Sequence, residues 1–186
     1  MRKSLYIPVV IGTGREGRKT PIIAKFVTEQ AKEFGFDAAL FDVVDFATLV
    51  TSNNDEKQEE WKAIAEKADG FIIVVPEYNH SYPGELKLLL DKAYNEYNHK
   101  PVGLCTVAAG GIGGTRVAES MLPVFNAYKM IALRDAVYFT AIHSLLEENG
   151  TIKHESMAMY AERLQPMLTE LQAYAHASET IRNELS

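Results

Sequence analysis

Apolar positions along this chain follow two rhythms. Short runs rich in β-branched residues (LYIPVVI over 5–11, GFIIVV over 70–75, PVGLCTVA over 101–108) alternate with longer stretches in which apolar residues recur every three or four positions. Unbroken short runs suit strands buried on both faces, and the longer period suits helices lying against them. The first helix is expected from Thr20 as its cap, with Pro21 in its first turn, a stripe of Ile22, Ile23, Phe26, Val27, Ala31 and Phe34, and Gly35 as its stop. DAALFDV over 37–43 reads as a second strand, followed by a loop through Asn53 and Asn54. A second helix over 55–68 has an acidic first turn and turns Trp61, Ile64 and Ala65 inward. A third helix begins at Pro83 and buries Leu86, Leu89, Leu90 and Ala93; a fourth follows Gly114; a fifth strand lies within IALRDAVYF over 131–139. The final helix, over 154–176, carries a stripe of Met157, Ala161, Leu164, Leu168, Leu171 and Ala175, and Pro166 is expected to kink or break it.

Strands that alternate with helices imply a parallel sheet covered on both faces. Five strands and five helices predict an α/β fold: a flavodoxin-like three-layer α/β/α sandwich with a five-stranded parallel sheet, order 2-1-3-4-5. There is no internal repeat, low-complexity tract or linker, and 186 residues suit one domain spanning 1–186.

Composition narrows the partners. A formal net charge of −6 lacks the positive field that nucleic acid or an anionic membrane attracts, so neither is expected as a partner, and an anionic ligand must be caught locally. No segment approaches the roughly 20 apolar residues of a membrane span. The apolar run at the start stops at charged GREGRK with no small-residue cleavage site, and the one cysteine, Cys105, sits in an apolar run; both point to the cytoplasm. The five histidines show no close metal-ligand spacing, Cys105 has no CxxC partner, and there is no GxSxG elbow.

In such a sheet, ligands bind beyond the carboxyl ends of the strands, where the strand order reverses. Three unusual loops are expected there. The first, GTGREGRKT over 12–20, gathers three of the chain's 19 Lys and Arg residues at a helix amino end: Gly12, Thr13, Arg15, Arg18, Lys19 and Thr20 form a candidate phosphate cradle. The same stretch fits Gly12-x-Gly14-x-x-Gly17, a dinucleotide-binding turn, with Asp42 where a ribose-binding acid would lie. In that fold, however, the third glycine lies within the opening helix, whereas Thr20-Pro21 starts the helix only after Gly17. The second loop holds Pro76, Glu77, Tyr78 and Asn79, then His80, Ser81 and Tyr82 before Pro83; stiffened at both ends by proline, it would present a flat wall to a heteroaromatic ligand. Tyr82 reads equally as packing material, and His80 as a residue bonded to backbone. The third loop, Gly110, Gly111, Ile112, Gly113, Gly114, permits a close backbone approach and leaves N–H groups free to donate toward developing negative charge.

Together these stretches resemble the NAD(P)H-dependent FMN reductase family, the flavodoxin-like group that includes quinone, azo-dye and chromate reductases. The likeness covers residues 5–138 and is most specific in PEYNHSYPGELKLLLD and the GGIGG loop, while Gly12-Thr13-Gly14-Arg15 corresponds to the family's Gly-Ser-x-Arg phosphate loop. The resemblance implies FMN as cofactor, with Thr13 and Arg15 on its phosphate and Arg18 nearby. Pro76, Glu77, Tyr78 and Asn79 would lie along the isoalloxazine, with Gly110 to Gly114 at its pyrimidine edge. It further implies NADPH or NADH as co-substrate, a small-molecule electron acceptor and a homodimer or homotetramer. No catalytic acid or base is required, because the flavin carries the redox chemistry. Two departures stand out: Arg18 where many members have Ser, and Lys92 after Asp91 where many have Trp. Two other classes fit the same fold, an electron-carrier flavodoxin and a flavin-binding regulatory module. Carriers hold the phosphate in a Ser/Thr-rich loop without arginines, which Arg15 and Arg18 do not match.

Overall fold

The computed structural model describes residues 4–50 and 55–185. The expected loop at Asn53 and Asn54 lies outside the described residues. Parallel strands β1 (Tyr6–Ile11), β2 (Asp37–Asp42), β3 (Phe71–Pro76) and β4 (Pro101–Val107) assemble in the order β2-β1-β3-β4. The fifth position is shared by β5 (Ile131–Ala132) and β6 (Val137–Phe139), both parallel to β4. The sheet therefore has the flavodoxin-like order 2-1-3-4-5.

The single fifth strand expected from IALRDAVYF is split, and the register shows how. Ala132 pairs with Val102 and Val137 with Cys105, so five chain steps on one side match three on the other. The two extra residues are taken up where exposed Arg134 and Asp135 turn away at the sheet's edge. An edge position tolerates this, because the strand has only one neighbour to satisfy.

Helices close both faces. On one side α1 (Thr20–Phe34) and α6 (His154–Leu185) cover Ile7, Val9, Ile11, Ile72 and Val74 with Ile23, Phe26, Val27, Leu164, Leu168 and Leu171. On the other, α2 (Glu56–Lys67), α3 (Gly84–Leu90) and α4 (Thr115–Ala127) cover Val10, Ile73, Val75 and Leu104 with Trp61, Leu86, Leu89, Val117 and Phe125. Burial of these side chains at about 25 cal/mol per Å² of apolar surface is the main favourable contribution to folding. Inside the second core the Trp61 indole donates to Tyr97 Oη at 2.6 Å, and Tyr97 passes its own proton to the Leu90 carbonyl at 3.1 Å. Both polar tips are thereby satisfied without water.

Other expectations change in detail. Thr20 is not the cap of α1 but its first helical residue, buried; Lys19 holds the cap position without a side-chain bond. The stop at Gly35 is as expected, in the left-handed region at φ 113°, its N–H returned to the Ala31 and Lys32 carbonyls. Pro166 does not break the last helix, which runs unbroken through it and continues to Leu185 rather than ending near His176. Packing of Tyr160, Leu164, Met167 and Leu168 on the sheet outweighs the hydrogen bond that proline removes. Met157, expected on the buried stripe, is exposed; Tyr160 occupies the core position instead, stacked on Phe139 with centroids 4.2 Å apart. Ile64 is half-buried. A short helix, α5 (Ile142–Leu145), follows β6 and was not foreseen. No helix among the described residues is long and apolar enough to cross a membrane.

Candidate functional site

The loops that follow β1, β3, β4 and β6 leave the sheet at its carboxyl edge. At Gly12 the chain passes so close to β3 that an added Cβ would lie 3.0 Å from Val75 Cβ, and the Gly12 N–H donates to the Val74 carbonyl at 2.8 Å. Glycine accommodates this approach, and any side chain here would press on β3. Gly17, at φ 71°, then turns the chain into α1. With lysine at the cap and no acidic residue in the first turn, the amino end of α1 carries no acidic side chain of its own to complement it. Among the described residues, the N–H groups of Glu16, Gly17 and Lys19 have no protein acceptor. Free N–H groups and the positive end of a helix dipole suit a phosphate.

The loop's three cations differ in what they face. The Arg18 guanidinium is held 2.5 Å from Asp42 Oδ2 and 2.5 Å from the Thr13 carbonyl. The Asp42 position that fits a dinucleotide turn is therefore taken by an internal ion pair, and its other oxygen accepts the Val44 N–H at 3.2 Å. Arg15 lies over the Tyr78 ring, 5.5 Å from its centroid, and neither Arg15 nor Lys19 has a carboxylate partner among the described residues. Thr13 is wholly buried behind the loop, its hydroxyl 3.0 Å from Glu85 Oε1.

The second loop is a tight hairpin. Tyr78 and Ser81 exchange backbone hydrogen bonds at 2.9 and 3.0 Å, and the two residues between them, Asn79 (φ 49°) and His80 (φ 68°), are both left-handed. A two-residue hairpin needs positive φ at both central positions, which asparagine accepts readily and histidine less so. The tip carrying Asn79 and His80 is exposed, whereas Tyr82 packs against the α3 and α4 core. Pro76, Glu77 and Tyr78 form the stem; Glu77 lies 3.5 Å from Arg116 on α4.

In the third loop Gly110 and Gly111 are exposed, while Gly113 and Gly114 are buried at positive φ. The Thr106 hydroxyl donates to the Gly113 carbonyl, fixing the turn into α4. The loop is tied to the one after β6 by Ala141 N–H to the Gly110 carbonyl (3.2 Å) and Ile142 N–H to the Ala108 carbonyl (3.0 Å).

These segments enclose a cleft of about 340 Å³ lined by residues 15–20, 76–78 and 107–109 with Ile142 and His143. Of the residues singled out in the sequence, Arg15, Arg18, Lys19, Thr20, Pro76, Glu77 and Tyr78 meet there. Gly12 and Thr13 stand behind the phosphate loop, Asn79 is at the hairpin tip, and Gly110, Gly111, Gly113 and Gly114 lie beyond the cleft's lining. Val107, Ala108 and Ala109, then Ile142 and His143, were not assigned to the site, although Ala108 and Ala109 open the third loop directly before its glycines. The apolar end of β4 could have signalled the first group, but the split fifth strand concealed the second. Cys105 lies buried within β4, and burial pushes its thiol pKa up, so it is no thiolate nucleophile. Among the described residues no cluster of His, Cys, Asp and Glu could hold a metal ion.

The cleft thus pairs an N–H-rich, cationic end with a wall formed by Pro76, Tyr78, Val107 and Ala108. Its volume falls within the usual range for small-molecule sites, roughly 300–1,000 Å³. That donor set fits a planar heterocycle carrying a terminal phosphate, the build of FMN.

Comparisons agree with this chemistry. Residues 5–144 match the family model described as NADPH-dependent FMN reductase. The chain is 35% identical over 136 residues to an NAD(P)H-dependent FMN reductase of Schizosaccharomyces pombe, covering 67% of each chain. It is 27% identical over 184 residues to an NADPH azoreductase of Bacillus sp. (strain OY1-2), covering 95% of this chain and 96% of the relative. Among solved structures, a flavoenzyme NAD(P)H:(acceptor) oxidoreductase from Paracoccus denitrificans superposes with a TM-score of 0.72 at 18% identity, over 95% of this chain and 98% of that one.

Proposed function

Because this chain belongs to the NADPH-dependent FMN reductase family, we propose that its cleft binds FMN and that the protein is an NAD(P)H-dependent oxidoreductase acting on small electron acceptors. The observation that carries the reading is the meeting of the uncapped, cationic loop 15–20 with the stem 76–78 and the strand end 107–109 in one cleft.

The chemistry that bound FMN would supply is hydride uptake from a nicotinamide and electron transfer to an acceptor. The chain's own residues bind and orient. Arg15 and Lys19, with the free N–H groups of Glu16, Gly17 and Lys19, would hold the phosphate, and Thr20 at the start of α1 adds a hydroxyl beside them. Arg18 contributes indirectly: its bonds to Asp42 and to the Thr13 carbonyl fix the loop's shape. Pro76, Glu77, Tyr78 and Asn79 form the proposed ring-binding hairpin, rigid because two backbone hydrogen bonds close it. Ala108 and Ala109 line the cleft and keep that wall free of bulky side chains, and Gly110, Gly111, Gly113 and Gly114, just beyond the lining, would border the ring's polar edge.

The whole chain, 1–186, is proposed to form one flavin-binding domain, assembling as a homodimer or homotetramer in the cytoplasm, where Cys105 stays reduced. Quinones, azo compounds, free flavins and metal oxyanions are the proposed acceptor classes, the azo class supported by the Bacillus relative.

Steady-state oxidation of NADPH and of NADH, with FMN and a quinone added, tests the proposal. Turnover that depends on the protein and on FMN is expected. Bound flavin without turnover would indicate an electron carrier instead, and no flavin uptake would leave only a regulatory module.

A further inference from the structure

Thr13 has one hydroxyl proton, and its destination is fixed by its neighbours. Its Oγ1 lies 3.0 Å from Glu85 Oε1 and 3.2 Å from Tyr78 Oη, and accepts the Arg15 N–H at 3.3 Å. An ionised carboxylate only accepts, so Thr13 donates to Glu85 and Tyr78 donates its own proton to Thr13. The Gly14 N–H donates to the same Glu85 oxygen at 2.9 Å. One oxygen atom from the first turn of α3 therefore fastens two consecutive residues of the loop after β1. Through Thr13 it also fastens Tyr78, whose ring stands beneath Arg15.

This arrangement changes what Thr13 can do. With its proton committed and its side chain buried, its hydroxyl stands behind the loop and its proton is not offered to the cleft. From this geometry we infer that Glu85 is a positioning residue for the phosphate loop, holding Thr13 and Gly14 so that Arg15 and the N–H groups of Glu16, Gly17 and Lys19 face the cleft. The inference rests on the flavin reading of that cleft.

The charge state fits the role. Burial works to raise the Glu85 pKa, but the Gly14 and Thr13 hydrogen bonds and the nearby Arg18 charge outweigh it, keeping the carboxyl below its ordinary value and ionised. A loop held in its binding shape beforehand loses less freedom when the ligand arrives.

Two variants separate the hydrogen bonds from the charge. Glu85→Gln keeps the Oε1 acceptor for both donors and removes the charge; Glu85→Ala removes both. Dissociation constants for FMN and for riboflavin, which has the same ring and ribityl chain without the phosphate, are measured by flavin fluorescence, with melting temperatures alongside. Glu85→Ala is expected to weaken FMN binding about tenfold, leaving riboflavin within about threefold of the parent, while Glu85→Gln retains parent-like FMN affinity or exceeds it. The inference is overturned if Glu85→Ala binds FMN as well as the parent or better. Equal losses for FMN and riboflavin overturn it, since they indicate a purely structural role. So does a Glu85→Gln variant as weak as Glu85→Ala. A parent protein that takes up no FMN refutes the flavin reading itself, and this inference with it.

Discussion

Among the described residues no carboxylate neutralises Arg15 or Lys19 of the first loop, whereas Arg18 is bound to Asp42. Replacing Arg15 with alanine should therefore cost the ligand one charge-assisted contact, about 1.5–3 kcal/mol, or tenfold to a hundredfold in FMN affinity by fluorescence titration. Unchanged affinity in a folded variant would misplace the phosphate. A second residue-scale prediction concerns Lys100, only 4% exposed, whose Nζ donates to the Ala65 and Glu66 carbonyls at 2.7 and 2.8 Å. Burial, then the charge of Arg182, push its pKa down to about 8 from 10.5, against the opposing pull of Glu66, Asp69 and Glu96. Between those values the unfolded chain binds the proton that the folded chain has released, so Lys100 contributes more favourably as pH rises from 8 to 10.5. Denaturant titrations of the parent and Lys100→Met at pH 7 and pH 10 should shift in the parent's favour, by at most about 3 kcal/mol. A pH-independent difference would refute the shift. At this scale the sequence exposed the loop cations and the Tyr78 wall but not Glu85 or His143. Glu85 sits in a short amphipathic stretch where a carboxylate reads as solvent-facing, and its partners are 71 and 72 positions away.

Elements were more legible than contacts, because burial on two faces writes a strand such as FIIVVP as a continuous apolar run. What periodicity could not convey was competition between elements. Pro166 carries a strong local signal for a break, yet α6 persists because its buried face spans both sides of the proline. The split of the fifth strand depends on a register against β4 that no local pattern contains. The glycine turn before α4 gives an element-scale prediction. Gly114 has φ 86°, and an added Cβ would stand 3.0 Å from Thr106 Cβ on a central strand. Gly114→Ala should lose about 1–3 kcal/mol of stability in chemical denaturation, through left-handed strain together with that clash. Stability equal to the parent's would show that the turn relaxes freely.

Across the whole molecule a net charge of −6 coexists with a locally cationic cleft, so recognition of an anionic cofactor depends on short-range contacts rather than on the overall field. The alternation of elements made a parallel sheet legible and favoured the order 2-1-3-4-5 that it has, which brings the three unusual loops to one edge. Which residues of those loops face the cleft was not legible, since that depends on turns such as the Asn79 and His80 hairpin, closed only in three dimensions. FMN binding in this cleft, with reduction there by a nicotinamide, underlies every role proposed for these residues. Its most direct test is anaerobic addition of NADPH to the protein loaded with one equivalent of FMN, following the yellow absorption of the flavin. Bleaching far faster than for free FMN under the same conditions is the predicted result; FMN that stays unbound, or binds and bleaches no faster than in buffer, would contradict it.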